Sequence, residues 1–141
     1  MVEFVNVKMG FPGGRKVAAQ VGEHVILTDQ PRSAGGEGAA PSPYSLFLAS
    51  IGACIGFYAL AFCQSRDISC EGLALEGVFR TENGTLAGAE FHLRPPVGFP
   101  EKYRDALLRS VDRCSVKRSI QAQPDIRVQL EWSEEEAGYH A

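Results

Sequence analysis

The sequence predicts an α+β fold in which antiparallel strands pack against one long, buried helix. A run of twenty residues, 44–63, contains no charged side chain and no histidine. Strand-like segments lie on both sides of this run, and Asn83-Gly84 between two of them is the strongest short signal for a β-hairpin. With 141 residues and 45% hydrophobic content, the chain suits a single domain, 1–141, with a sizeable core. The predicted order is βββ-α-ββ-α-β.

The first third of the chain predicts a small meander of three strands. Residues 2–9 alternate between apolar and polar side chains, and residues 15–21 and 24–29 continue as strand-like segments around glycine-rich turns. Residues 31–43 are rich in glycine, alanine and proline, which disfavours both a helix and a central strand. This loop comes just before the long helix and is therefore a candidate rim for a binding site.

The uncharged run predicts a helix that Ser42 caps, that Pro43 begins and that ends near residues 64–66. At about 1.5 Å per residue such a helix is also long enough to cross a bilayer, so a small membrane protein is an alternative. Small residues such as Gly52 and Gly56, and the lack of a second hydrophobic segment, favour a soluble protein. Because a helix apolar nearly all round must be covered on every side, we predict a dimer.

The remaining segments predict a hairpin, a second helix and a final strand. Residues 73–81 and 86–94 form the arms of the hairpin. Residues 101–112 predict a helix with one apolar stripe that continues to Cys114. Residues 126–132 alternate as a last strand, and the acidic tail 133–141 is expected to fray.

Composition argues against several classes of partner. The net charge is −3 and the basic residues are scattered, which gives no basic stripe for nucleic acid or for a membrane surface. The N-terminus lacks the basic and apolar segments of a signal peptide, so we predict a cytoplasmic protein. In a reducing compartment, cysteines are typical of buried thiols or redox chemistry. The cysteine and histidine spacing predicts no metal site, and no cofactor is indicated.

Cys54 and Cys114 are the candidate catalytic residues, although a free cysteine most often acts as a small buried hydrophobe. Residues 113–118 around Cys114 include three cations. If a helix starts here with Asp112 as its cap, both the helix terminus and the cations lower the pKa of the Cys114 thiol. In the alternative interpretation, the cations form a solvated helix face with Cys114 buried beneath them.

Cys54 has no charged neighbour in sequence, so any activation must come from elsewhere in the fold. Arg15, in a Gly-Gly-Arg turn, and Arg32, in the loop, are the candidate cations, although an arginine in such a turn is more often simply exposed. Cys63 lies nine residues after Cys54 and faces away from it on an ideal helix, so these two should not pair. We interpret Cys70 as structural or incidental.

Residues 42–54, which read Ser-Pro-Tyr-Ser-Leu-Phe-Leu-Ala-Ser-Ile-Gly-Ala-Cys, are followed sixty residues later by Arg-Cys-Ser-Val-Lys at 113–117. This arrangement resembles the OsmC/Ohr family of osmotically induced and organic hydroperoxide resistance proteins, in particular the branch with Pro-x-Pro-Tyr at the start of the helix. The resemblance covers nearly the whole chain. It implies an α+β fold, an intertwined homodimer whose sheets enclose long central helices, and paired cysteines near the dimer interface.

The resemblance also implies an activity. Family members with peroxidase activity use the helix cysteine to attack an organic hydroperoxide and a second cysteine to resolve the sulfenic acid as a disulfide. By resemblance, Cys54 is the peroxidatic cysteine, Cys114 is the resolving cysteine, and Arg15 matches the activating arginine. The reductant implied is an external thiol such as a lipoyl protein or a small dithiol.

The substrate pocket is expected along the apolar faces of the helix, with Tyr44, Phe47 and Arg32 as candidate contacts. Where relatives carry an activating glutamate at the start of the helix, this chain has Tyr44 and Ser45. The missing carboxylate supports an alternative hypothesis. In that hypothesis the protein is a catalytically weak or non-enzymatic dimer that binds a small apolar ligand at the dimer interface.

Overall fold

Three antiparallel strands form the first sheet: β1 (Val7–Gly13), β2 (Lys16–Val21) and β3 (His24–Thr28), in the order β1-β2-β3. The computed structural model describes residues 1–132. The predicted meander is confirmed, but β1 begins at Val7 and not at Val2. The reason lies in the register, because Val7 pairs with Val21, the last residue of β2, and within residues 1–132 no strand lies opposite the residues before Val7.

The loop between β3 and the long helix is organised around the buried side chain of Asp29. One carboxylate oxygen accepts a hydrogen bond from the Gln30 N–H at 2.8 Å, and the other accepts the N–H groups of Glu37 and Ala39 at 3.2 and 3.0 Å. Gly36 is required here, since a Cβ at this position would lie 2.0 Å from the Gln30 carbonyl oxygen. The loop predicted over 31–43 therefore has a fixed shape, with one short 3₁₀ turn at Arg32–Ala34.

Helix α1 (Pro43–Ser65) begins and ends where the sequence predicts. The Ser42 hydroxyl accepts a hydrogen bond from the Ser45 N–H at 3.1 Å, and Pro43 takes the first helical position. By length and composition the helix could cross a membrane. In this fold it supplies most of the core, with these side chains buried: Ile51, Ile55, Ala59, Phe62 and Cys63. The other residues of α1 are half-buried or exposed within one chain.

The predicted hairpin is formed by β4 (Ala74–Glu82) and β5 (Thr85–Arg94). Asn83 and Gly84 at its tip both have positive φ angles, 54° and 76°, as a two-residue hairpin turn of this kind requires. Alternate side chains of the hairpin are half-buried, and several of them, including Leu75, Phe79 and Phe91, pack against the core of α1.

The C-terminal third differs most from the prediction. The helix expected over 101–112 is a 3₁₀ turn followed by α2 (Arg104–Val111), and a further helix, α3 (Ser115–Gln121), comes after it. The strand predicted over 126–132 is not formed, because no strand of the described chain lies beside this segment. Its apolar side chains are exposed: Ile126, Val128, Leu130 and Trp132. The acidic tail 133–141 lies outside the described residues.

Two buried clusters lie along α1. The first contains Ile51, Ile55 and Cys114, so it joins the middle of α1 to the junction between α2 and α3. The second contains Phe62 and Leu107 and joins the end of α1 to α2. These clusters fix the C-terminal helices against α1 and so determine which side chains can reach Cys54.

Candidate thiol site

Cys54 lies near the middle of α1 and is half-buried. Phe47 and Tyr58 stand seven residues before and four residues after it, and at 3.6 residues per turn all three occupy one helical face. All three pack against the cluster that contains Ile51, Ile55 and Cys114. The helix therefore presents the Cys54 thiol toward the C-terminal helices.

Cys114 lies between α2 and α3 and is fully buried. It is itself the N-cap of α3, and its sulfur accepts a hydrogen bond from the Lys117 N–H at 3.4 Å. The predicted cap, Asp112, is wrong, because Asp112 is the C-cap of α2, directly after Val111, and keeps helical φ and ψ angles. The Asp112 carboxylate forms an ion pair with the Lys117 side chain, which holds one of the three nearby cations outside the site.

The structure brings Cys54 and Cys114 together, although they are sixty residues apart in sequence. Cys54 packs against the cluster that contains Cys114, and the Cys54 sulfur lies 3.7 Å from the Ser115 hydroxyl. The backbone N–H groups of Ser115 and Val116 are near enough to favour the Cys54 thiolate. Cys54 therefore lies against the first turn of α3.

These contacts give the two thiols opposite properties. Partial burial disfavours the Cys54 thiolate, but the Val116 N–H, the Cys114 thiol and the Ser115 hydroxyl and N–H outweigh it, so the pKa of Cys54 lies below its ordinary value. Burial raises the pKa of Cys114, the Lys117 N–H opposes this, and the neighbouring Cys54 adds to the rise. Of the two interpretations of residues 113–118, the one with Cys114 buried beneath the cations agrees with the structure, because the thiol has no exposed surface.

The two candidate arginines lie at the loop between β3 and α1. The Arg15 guanidinium packs over Gly35, where a Cβ would come within 3.4 Å of its nitrogens. The Arg32 side chain donates a weak hydrogen bond to the Glu37 carbonyl at 3.5 Å. Neither arginine is among the groups that set the pKa of Cys54. Within one chain, the groups that lower the pKa of Cys54 are Cys114, the N-cap of α3, and the first residues of α3.

Tyr44 and Phe47, the other candidate contacts, form one aromatic pair on the first two turns of α1. Their ring centroids are 5.8 Å apart in an edge-to-face arrangement. Phe47 is half-buried against the cluster around Cys114, whereas Tyr44 is exposed. The pair extends the apolar face on which Cys54 lies.

An open groove of about 680 Å³ lies between α1, the hairpin and the C-terminal helices. Its walls are mainly apolar and include Ile51, Ile55 and Phe91, with Lys117 among the few charged groups. Ile51 and Ile55 belong to the same cluster as Cys114. The groove thus shares Ile51 and Ile55 with the cluster that contains Cys114, although neither Cys54 nor Cys114 lines it.

Sequence reasoning missed two parts of this arrangement. Ser115 could have been inferred, since it follows Cys114 directly and must approach Cys54 if the two cysteines meet. The role of Asp29 in the loop could not be inferred from the sequence, because an acidic residue that follows a strand is usually exposed. Among residues 1–132, no group of three or more His, Cys, Asp or Glu side chains could hold a metal ion.

Comparison with known proteins places this fold in a family. The sequence profile described as OsmC-like protein matches residues 35–129. The structure is similar to an OsmC like protein from Mycoplasma pneumoniae, with a TM-score of 0.69 and 14% identity, over 87% of this chain and 91% of that one.

It is also similar to two organic hydroperoxide resistance proteins. The protein from Legionella pneumophila has a TM-score of 0.55 and 22% identity, over 90% of this chain and 96% of that one. The protein from Elizabethkingia anophelis has a TM-score of 0.58 and 19% identity, over 87% of this chain and 91% of that one. No protein with a curated description matches the sequence significantly. Since the profile covers more than half of the chain and the fold agrees with these structures, the protein belongs to the OsmC-like family.

Proposed function

We propose that this protein is a thiol-dependent peroxidase that reduces organic hydroperoxides in defence against oxidative stress. The observation that carries the proposal is the packing of a half-buried Cys54, whose pKa is lowered, against the cluster that contains a buried Cys114, whose pKa is raised. A thiolate is the nucleophile that attacks a peroxide, and a neighbouring thiol can attack the sulfenic acid that results as its own proton passes to the departing hydroxyl.

The reaction proceeds in two steps at the thiol pair. The Cys54 thiolate attacks one peroxide oxygen, the O–O bond breaks, and the alkoxide leaves and takes up a proton to become an alcohol. Cys54 is then a sulfenic acid. The Cys114 sulfur attacks the Cys54 sulfur, a disulfide forms, and the hydroxyl group leaves as water with the Cys114 proton. An external dithiol, such as a lipoyl group, restores both thiols by exchange.

The surroundings of the pair favour an apolar substrate. The groove that shares Ile51 and Ile55 with the cluster around Cys114 has mainly apolar walls, which suits the alkyl or aryl group of an organic hydroperoxide better than hydrogen peroxide. We assign Phe47 to the apolar contact and Tyr44 and Arg32 to the polar end of the substrate. Arg15 remains our candidate for a second activating group. The similar proteins from Legionella and Elizabethkingia are organic hydroperoxide resistance proteins, which supports this substrate class.

The assembly that we propose is an intertwined homodimer in the cytoplasm. One chain exposes 11301 Å², whereas a compact monomer of 15.3 kDa exposes about 7,100 Å². Exposed apolar side chains on the first sheet, on α1 and in residues 126–132 contribute to this surface, including Phe11, Phe57 and Leu130. A second chain would cover α1 and place a strand beside residues 126–132. Light scattering should give twice the monomer mass at micromolar concentration, and a monomer would contradict the proposal.

Peroxide consumption tests the activity. With dihydrolipoamide as reductant, we expect the wild type to consume cumene hydroperoxide faster than hydrogen peroxide. Cys54→Ser should abolish turnover, and Cys114→Ser should stop after one equivalent with Cys54 as sulfenic acid. Cys70→Ser, which removes a thiol outside this site, is the matched control and should retain the wild-type rate. Equal rates in wild type and Cys54→Ser would refute the proposal.

The contribution of the arginines requires a separate test. If Arg15 helps to activate Cys54 in the dimer, Arg15→Ala should move the pH profile of Cys54 alkylation to higher pH. Arg32→Ala is the second variant to measure. Unchanged profiles in both variants would leave the α3 donors as the source of activation.

The second candidate function is ligand binding without efficient catalysis, and the missing glutamate favours it. Ser45 stands three residues after the N-cap Ser42, which is the position where a glutamate completes a capping box. Ser45→Glu is therefore compatible with the start of α1 and restores a carboxylate there. A large gain in hydroperoxide turnover would show that the absent carboxylate limits catalysis. A wild type that binds apolar ligands but shows no turnover, with no gain in Ser45→Glu, would support the binding function.

A further inference from the structure

The C-terminal end of α1 turns the chain back on itself and brings a second pair of cysteines together. Asp67 adopts a left-handed conformation with φ of 55°. The Asp67 N–H donates to the Gln64 carbonyl at 3.2 Å, and the Ile68 N–H donates to the Cys63 carbonyl at 2.9 Å. This pair of hydrogen bonds is the Schellman motif, which reverses the chain direction at a helix end. Cys70, two residues further on, therefore lies beside the last turn of α1.

The chain reversal places Cys70 beside Cys63, because the Ile68 N–H is bonded to the Cys63 carbonyl two residues before Cys70. Burial raises the pKa of Cys63, and its interaction with the Cys70 thiol raises it further. The Cys70 sulfur also approaches the Ile68 carbonyl at 4.0 Å, which keeps it on the inner side of the turn. The two thiols thus adjoin each other within one local segment of eight residues, 63–70.

The two thiols differ in accessibility. Cys63 has no exposed surface, whereas Cys70 is partly exposed. A dissolved reagent therefore reacts with Cys70 first. Cys63 is then placed to react with the modified Cys70. The pair is separate from the first thiol site, because Cys63 lies nine residues after Cys54, or about 13 Å along the helix axis and on another face.

We propose that Cys63 and Cys70 form a second redox site, a dithiol that small disulfides oxidise to an intrachain disulfide across the end of α1. The Cys70 thiolate attacks the small disulfide, whose S–S bond breaks and releases one small thiolate, and a mixed disulfide forms on Cys70. The Cys63 thiolate then attacks the Cys70 sulfur and expels the second small thiolate. The protein loses two electrons and two protons, and the small disulfide gains them as two thiols.

Oxidised glutathione is the probe, and the tryptic pattern makes the test unambiguous. No lysine or arginine lies within 33–65 or within 67–79, so trypsin releases Cys54 and Cys63 on peptide 33–66 and Cys70 on peptide 67–80. In the Cys54→Ser, Cys114→Ser protein, Cys63 is the only thiol of its peptide. After incubation with mixtures of oxidised and reduced glutathione, acid quench and alkylation, we expect peptides 33–66 and 67–80 to be joined by a disulfide. The joined fraction should rise with the proportion of oxidised glutathione.

Two controls keep the result interpretable. In the same background, Cys70→Ser should leave Cys63 unmodified, and Cys63→Ser should stop at the glutathione mixed disulfide on Cys70. In wild type, chymotrypsin cleaves at Phe57 and Tyr58 and separates Cys54 from Cys63, so the bridge can be mapped without any substitution. If Cys63 stays free at every glutathione ratio, both in the wild type and in the Cys54→Ser, Cys114→Ser protein, the proposal is wrong. The result for the Cys54→Ser, Cys114→Ser protein is independent of peroxidase activity, because that protein lacks both proposed catalytic thiols.

Discussion

Oxidation of Cys54 and Cys114 to a disulfide should raise the free energy of unfolding substantially. The bridge would close a loop of about 60 residues, and the chain-entropy relation for a loop of that length gives a gain of about 4 kcal/mol at 25 °C. Engineered disulfides often stabilise a protein by less than this relation predicts, because they strain the native state. Here Cys54 already packs against the cluster that contains Cys114 in the reduced protein, so we expect a gain of about 2 to 4 kcal/mol.

Urea unfolding at a fixed protein concentration measures this gain. A protein with Cys63→Ser and Cys70→Ser is the background, because a bridge between those residues would close a loop of eight residues and add about 2.5 kcal/mol by the same relation. The oxidised protein should unfold at a urea concentration higher by about 1 M or more, given slopes of about 1 to 3 kcal/mol/M. Adding Cys54→Ser should abolish the difference. An oxidised protein no more stable than the reduced one, or a gain that persists without Cys54, would refute the pairing.

Three further predictions concern single contacts. Ser115→Ala removes a donor to Cys54, so the alkylation profile of Cys54 should move to higher pH, whereas Ser50→Ala, on the exposed face of α1, should leave it unchanged. Three N–H donors hold the pKa of Asp29 below its ordinary 3.8, so Asp29→Asn should unfold at lower urea concentration than wild type above that pH. The difference should shrink as pH falls through the folded-state pKa, because the stabilisation exists only while the carboxylate is ionised. Asp67→Gly should raise the free energy of unfolding by up to about 1 kcal/mol, measured by urea unfolding, because glycine adopts the left-handed conformation at the end of α1 without strain.

Local signals were sufficient for most of the fold. The Ser-Pro pair at 42 and 43 located the start of α1, and Asn83-Gly84 located the hairpin, because each pair satisfies a backbone requirement that few other residues meet. The final strand over 126–132 could not be located in this way. Alternation shows that a segment is suited to a sheet, but a strand forms only where another strand offers hydrogen bonds.

The candidate site was harder to predict than the fold. No periodicity links Cys54 to Cys114 across sixty residues, and family resemblance alone suggested that pair. The contact between Cys63 and Cys70 was missed for a different reason. Helical phase correctly separated Cys63 from Cys54, but the approach of Cys70 depends on the left-handed Asp67, which is an unusual residue for that conformation.

The source of Cys54 activation explains why charged residues were a poor guide to this site. We searched the sequence for cations because a buried thiol needs an opposing charge or hydrogen bonds to ionise. The structure supplies hydrogen bonds, and two of the donors are the backbone N–H groups of Ser115 and Val116. Backbone donors have no sequence signature, and their position depends on α3 being held by the cluster around Cys114. A lowered pKa at Cys54 is therefore compatible with the absence of the glutamate. We expect the missing carboxylate to affect the orientation of an arginine more than the formation of the thiolate.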